Sequence, residues 1–109
     1  VGVNSYNGGC NMPVAICEAD FERIVCTVRN RSFDSDRLLV AKQAVEGRWI
    51  NSGMVLRIMR LLSFESSRLD FAKFAYRLTV DPQNYYLVND GFSFSSSSRD
   101  LDCYIRAFH

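Results

Sequence analysis

One stretch of this chain is a near-copy of another. Phe33-Asp34-Ser35-Asp36-Arg37-Leu38-Leu39-Val40-Ala41-Lys42-Gln43-Ala44 returns as Phe64-Glu65-Ser66-Ser67-Arg68-Leu69-Asp70-Phe71-Ala72-Lys73-Phe74-Ala75, 31 residues further on. Phe, Ser, Arg, Leu, Ala, Lys and the closing Ala keep their register. A period of about 30 residues belongs to a repeated supersecondary unit, which cannot bury its apolar face alone and must stack on its neighbour. The fold class that follows is all-α: a compact stack of about six short helices built from repeated helical hairpins.

Polar starts and apolar stripes set out those helices. Over residues 17–30, Cys17, Phe21, Ile24, Val25 and Val28 keep helical spacing, with Glu18, Glu22, Arg23 and Arg29 opposite. Each copy of the repeat supplies a further helix. Asp34 or Ser35 in the first copy, and Ser66 in the second, is placed to cap backbone amides. With Asp34 as the cap, Phe33 and Leu38 stand in staple positions, and Phe64 and Leu69 repeat them. Leu38, Ala41 and Val45 make an inward stripe, echoed by Leu69, Ala72 and Tyr76, and the small Ala admits a second helix closely.

Gly47 ends the first of these helices. Asn51 caps the next, in which Val55, Ile58, Met59 and Leu62 face inward and Ile50 staples onto Val55. Asp81-Pro82 puts an acid at the cap and proline at the first position of a helix running through Tyr85, Tyr86 and Val88 to Gly91. The serines at 95–98 form a cap and turn before a last helix carrying Leu101, Tyr104, Ile105 and Phe108. Phe92-Ser93-Phe94 alternates but is too short to pair as a strand. Residues 1–12, rich in Gly, Asn and Ser, read as an irregular arm tied by a disulfide, and residues 13–109 as a single helical domain.

Cys10, Cys17, Cys26 and Cys103, an even set in a small chain, point to an oxidising compartment. Zinc is disfavoured, because there is no C-x-x-C pair and His109 is the sole histidine. On a helix Cys17 and Cys26 lie about 13 Å apart along the axis, beyond disulfide reach. The expected pairs are Cys10–Cys17 and Cys26–Cys103. Cys10–Cys26 with Cys17–Cys103 stays open, as do free thiols. Asn30-Arg31-Ser32 fits the N-glycosylation pattern at an expected helix end. Together these features predict a secreted or extracellular chain. It starts on Val1 without a charged-then-apolar leader, which reads as a processed chain or an excised domain.

The formal net charge of +1 supplies no basic stripe for nucleic acid. No apolar run nears the roughly 20 residues that cross a bilayer, and the longest, 54–62, is broken by Arg57 and Arg60. Acid–base catalysis needs paired carboxylates in a cleft or a poised histidine. His109 is terminal and expected to be disordered. Asp34 with Asp36, and Asp100 with Asp102, lack the calcium-loop pattern and read as helix-start acids. Ser66 and Ser97 lack a base and a nucleophile elbow. The expectation is no enzyme, no metal and no cofactor.

Arg37 with Lys42, and Arg68 with Lys73, are the duplicated cations. Either each bonds helix-end carbonyls or a neighbouring acid such as Asp70 or Asp81, or the two pairs align as a basic surface for an acidic partner. Phe71, Phe74, Tyr76, Tyr85, Tyr86, Phe92 and Phe94 exceed what a small core obviously needs. Aromatic side chains left exposed together mark a partner site. Tyr85 and Tyr86 are adjacent, so on a helix they cannot both face fully inward.

The pattern resembles a known family, the domain of unknown function numbered 4476. The resemblance is carried by Phe33-Asp34-Ser35 with Arg37-Leu38 and Ala41-Lys42, by Ile58-Met59, and by Phe64-Glu65-Ser66-Ser67-Arg68-Leu69-Asp70-Phe71-Ala72-Lys73. Ala75-Tyr76, Asp81, Asn84-Tyr85-Tyr86 and Val88-Asn89-Asp90 extend it. It implies an exported, all-helical domain with no assigned activity or catalytic residues. It also implies a cysteine where this chain has Asn51, the partner of one like Cys10, so the disulfide set here is rearranged. The expected function is a secreted helical module acting by protein–protein contact, within a larger extracellular protein. The alternative is a carrier of a small apolar ligand or lipid, its cavity lined by Met54, Met59, Phe71 and Phe74.

Overall fold

A computed structural model describes residues 13–108. The expected arm at 1–12, with Cys10, and the terminal His109 lie outside the described residues. Five α-helices follow in order: α1 (Glu18–Arg29), α2 (Asp34–Val45), α3 (Ser52–Met59), α4 (Glu65–Ala75) and α5 (Ser95–Phe108). A sixth helical element, Pro82–Gly91, is wound as 3₁₀, and a single 3₁₀ turn (Tyr76–Leu78) extends α4. No strand forms among the described residues. One parallel bridge joins the start of α3 to the exit from α4, with Ile50 N donating to Leu78 O at 3.0 Å and Val80 N to Ile50 O at 2.9 Å.

α2 packs on α1 and α4, α4 packs on α3 and α5, and the Pro82–Gly91 segment packs on α3. The described chain measures 46 × 33 × 19 Å, a thickness that fits two layers of helices lying about 8–10 Å apart. Phe21 and Val28 of α1, Ala41 and Val45 of α2, and Phe71, Ala72 and Ala75 of α4 are buried around Val55, Ile58 and Met59 of α3. Arg57 of α3 pairs with Glu18 at 2.6 Å and with Glu22, and lies over the Phe21 ring at 4.7 Å. Gly47 ends α2 with φ +79°, in the left-handed region where glycine carries no Cβ penalty.

Asn51 caps α3 as expected, its Oδ1 accepting from Met54 N at 2.8 Å. The other cap assignments need correction. The residues at the starts of α2 and α4 are Phe33 and Phe64, and neither has a side chain that accepts. Nor does Asp81 cap the segment it precedes. Its carboxylate reaches back 29 residues to α3, accepting from Ser52 N at 2.8 Å and Ser52 Oγ at 3.1 Å. The serines at 95–98 are the first turn of α5 itself, not a turn before it.

The 3₁₀ winding of Pro82–Gly91 follows from its inward residues. Tyr85, Val88 and Gly91 are the buried ones, spaced three apart, which matches three residues per turn and not 3.6. Gly91 closes this face because nothing larger fits: a Cβ there would stand 2.8 Å from Met59 Cε and 3.1 Å from Leu56 Cδ1. Gly91→Ala should therefore lower the unfolding free energy by about 1 kcal/mol, the low end of overpacking because the methionine end can yield. Urea denaturation checks this. An unchanged midpoint would mean that the contact is loose.

Candidate interaction surface

Helix ends leave carbonyls and amides without intrahelical partners, and the duplicated polar residues meet that need. Arg37 donates from Nε to Arg31 O at 2.8 Å, from Nη2 to Arg29 O at 3.0 Å and from Nη1 to Leu61 O at 2.9 Å. Arg68 donates from Nε to Leu62 O at 2.8 Å and from Nη1 to Gly91 O at 3.2 Å. Leu62 holds the register position of Arg31, and Gly91 follows Leu61 by 30 residues. Each guanidinium thus gathers the end of its own preceding helix and the end of the next element along. Its planar fork of fixed donors suits two or three carbonyls at once.

The acids work in the same sense. Asp34 accepts from Ser63 N and Ser67 Oγ, at the start of α4. Glu65 accepts from Ser93 N at 3.0 Å, Phe94 N at 3.1 Å and Ser97 Oγ at 2.6 Å, at the start of α5. Each acid ties down the backbone just before the helix of the following copy, together with a serine hydroxyl in its first turn, and its own helix has no side-chain cap. The lysines repeat the pattern once more. Lys42 pairs with Asp70 at 2.8 Å over the Phe74 ring, and Lys73 with Asp100 at 3.4 Å over the Tyr104 ring.

Truncating Arg68 removes two charge-assisted bonds and strands two helix-end carbonyls. Arg68→Ala should cost about 2–3 kcal/mol of stability. Arg68→Lys should recover under half of that, since one ammonium cannot serve both carbonyls. Chemical denaturation of the three proteins decides it; a Lys variant as stable as the parent would remove the argument from geometry.

Burial pushes the carboxyl of Asp34 upward, but hydrogen bonds from Ser67, Ser63 and Phe64 and the charge of Arg37 outweigh it, and the net direction is down from 3.8. Glu65 follows the same course: burial raises it, and Ser97, Ser93, Phe94 and Arg68 carry it below 4.5. A carboxyl lowered in the folded state contributes stability that is whole above its unfolded pKa and is lost as pH falls through the folded value. Stability should therefore begin to fall below about pH 4.5, continuing through 3.8 and lower. Asp34→Asn with Glu65→Gln should flatten that acid limb in urea melts at stepped pH. A limb of undiminished slope would assign it to other carboxyls.

The four duplicated cations are thus all engaged within the fold, as is Tyr85. That ring is buried between α4 and the 3₁₀ segment, its hydroxyl donating to Ala72 O at 2.6 Å, and burial pushes its pKa up. Tyr86 points the other way and is 67% exposed. It stands on the rim of a groove of about 290 Å³ between the 3₁₀ segment and α5, lined also by Tyr76, Pro82, Leu101, Asp102 and Ile105. Tyr76 meets Tyr85 edge-on at 5.0 Å and Phe108 at 5.8 Å. Beyond Leu101, α5 buries no side chain: Ile105 is half-buried, and Tyr104 and Phe108 are exposed.

No disulfide forms among the described residues, and the pairings expected of Cys10 involve a residue outside them. Cys17, Cys26 and Cys103 are exposed free thiols. Cys26 and Cys103 both point away from their helices' buried stripes, and α1 and α5 are not packed partners that would bring them together. Asn30 is exposed where α1 ends. No three His, Cys, Asp or Glu side chains gather as metal ligands among the described residues, and no helix is long and apolar enough to cross a membrane.

The staples expected of Phe33 and Phe64 do not cover their rings, and Phe94, given no such role from the sequence, stands the same way. Each precedes a helix and each is exposed, although their recurrence at one register position was present in the sequence.

The family described as Domain of unknown function (DUF4476) matches residues 15–105. The chain belongs to that family. The match spans the described helices almost entirely and includes every clamp residue named above. Searches of curated proteins and of solved structures returned no match.

Proposed function

We propose that this DUF4476 domain is a non-catalytic helical module that binds a protein partner through the groove between Pro82–Gly91 and α5, as one part of a larger extracellular protein. The observation that carries the reading is the unfilled side of α5. α3 packs directly on α4, whereas the 3₁₀ segment and α5 stand apart. The gap between them is lined by Tyr76, Tyr85, Leu101 and Ile105, with the exposed Tyr86 on its rim. Aromatic side chains on a rim with polar neighbours such as Gln83, Asn89 and Asp102 are the composition of an interface anchor.

The architecture behind it is three helical units from one repeat: α1 packed on α2, α3 packed on α4, and the 3₁₀ segment followed by α5, which flank the groove instead of packing together. Recurrence of the clamps at offsets of 30 and 31 residues supports that view. The absence of catalysis is supported by the use of the perturbed groups. Asp34, Glu65, Glu22 and Arg57 are drawn from their ordinary values by partners within the fold. Export rests on the exposed Asn30 sequon and the family resemblance, since the three described thiols are free. The carrier alternative needs a cavity at Met54, Met59, Phe71 and Phe74. The first three are packed in the core, and the Phe74 ring carries Lys42 and Arg77.

A photo-crosslinking phenylalanine in place of Tyr86 tests the proposal, with the same residue in place of Arg23 on α1 as control. The position-86 probe should yield one discrete protein adduct in the native source, suppressed by excess unlabelled domain and absent from the control. Adducts equal at both positions would refute the groove as the binding site.

A further inference from the structure

Three phenylalanines stand out of the fold at one recurring position. Phe33, Phe64 and Phe94 each precede a helix, and they are 69%, 64% and 62% exposed. A ring stapled over its own first turn would be covered; these stand mostly in water. Their backbones are held side by side. Asp34, next to Phe33, accepts from Ser63 N, next to Phe64, and Glu65 accepts from the amide of Phe94 itself. Packed helices lie about 8–10 Å apart, so the rings form a row roughly 20 Å long on one edge. Each ring left in water forgoes burial that would favour folding, and no clamp or core contact described above requires the side chain.

The same edge is cationic at one end. A single guanidinium, that of Arg37, bonds the carbonyls of Arg29, Arg31 and Leu61. The exposed side chains of Arg29, Arg31 and Arg60 therefore start from adjoining backbone beside Phe33 and Phe64. None of the three forms an ion pair among the described residues. The acids beside the phenylalanines, Asp34 and Glu65, are turned onto backbone amides; Arg29 also feels Glu22 of its own helix, and Asp36 and Asp90 are exposed carboxylates on the adjoining helical elements. Ser32, Ser63, Ser93 and Asn30 fill the intervals.

We propose that this edge docks on an anionic phospholipid bilayer. The three rings enter the interfacial layer, and Arg29, Arg31 and Arg60 meet lipid phosphates. Aromatic rings favour that layer, and arginines near an anionic surface are held by a field that salt screens. A row of protruding rings suits a deformable apolar medium, whereas a protein partner would need three pockets at matching intervals. The surface is separate from the Tyr86 groove, so the two bindings stand or fall independently.

The test is co-sedimentation of the full chain, made without glycosylation, with vesicles of phosphatidylcholine alone and of phosphatidylcholine mixed with phosphatidylserine. The chain should sediment with the mixed vesicles and stay in solution with the neutral ones, releasing as salt rises. The variant F33S/F64S/F94S, with an unchanged circular dichroism spectrum, should bind at least about tenfold more weakly. R29Q/R31Q/R60Q should lose the preference for the anionic vesicles. Should the triple Phe variant fail to fold, Phe64→Ser alone and the arginine variant still decide. No sedimentation with either vesicle, equal sedimentation with both, or retention by the Phe variant would each overturn the proposal; the first would leave the row to a protein partner.

Discussion

The fold depends on how its helix ends are satisfied across neighbours. Short helices have a large share of their backbone groups in unsatisfied first and last turns. α3 spans eight residues and α4 eleven, so most of their polar backbone lies near an end. Arg37 and Arg68 take the carbonyls, and Asp34, Glu65 and Asp81 take amides or the hydroxyls beside them. Every one of these bonds crosses from one element to another. Secondary and tertiary structure are therefore coupled: Asn51 caps α3 locally, but the carbonyls at the ends of α1, α3 and the 3₁₀ segment and the amides leading into α4 and α5 are satisfied only once a neighbour is docked.

That coupling explains why aromatic residues hold the N-terminal positions of α2 and α4. A Ser or Asp at those places would supply a local cap. At α4 the start is instead held by Asp34 of the preceding copy, through Ser63 N and the Ser67 hydroxyl, which frees position 64 for a residue chosen for something else. The same holds for Phe94, whose own amide donates to Glu65. The carboxylates sit at the positive ends of helices, where partial charges on the amides favour them. Their lowered pKa values and the exposure of the phenylalanines have one origin.

Much of the helix layout was legible from periodicity and local signals. α1 lies within one residue of its predicted ends, Asn51 caps α3, and Gly47 stops α2. What was not legible was any bond whose partners are distant in the chain. Asp34, Ser66 and Asp81 were assigned caps by sequence adjacency, and in the structure none of them caps its own helix. The 3₁₀ form of Pro82–Gly91 was visible in the three-residue spacing of Tyr85, Val88 and Gly91, but the Asp-Pro start signal does not distinguish 3₁₀ from α. Adjacency alone showed that Tyr85 and Tyr86 could not both face fully inward, yet which one is buried depended on α4 offering the Ala72 carbonyl. The cysteines were read by count, and the described ones proved exposed and unpaired.

The last copy shows where this logic stops. Counting forward 30 residues, Glu65 becomes Ser95, Arg68 becomes Ser98 and Lys73 becomes Cys103. The receiving residues persist: Ser97 accepts the role of Ser67, Asp100 that of Asp70, and Tyr104 that of Phe74. α5 is thus equipped to be held by α4 and lacks every side chain that would hold a further unit. Ala72, buried against Tyr85, becomes Asp102, exposed on the groove. Tyr104 and Phe108 keep uses within the fold, Tyr104 beneath Lys73 and Phe108 edge-on to Tyr76. The groove beside α5 thus sets Leu101 and Ile105 next to Asp102 and Tyr86, apolar along its floor and polar at its margin.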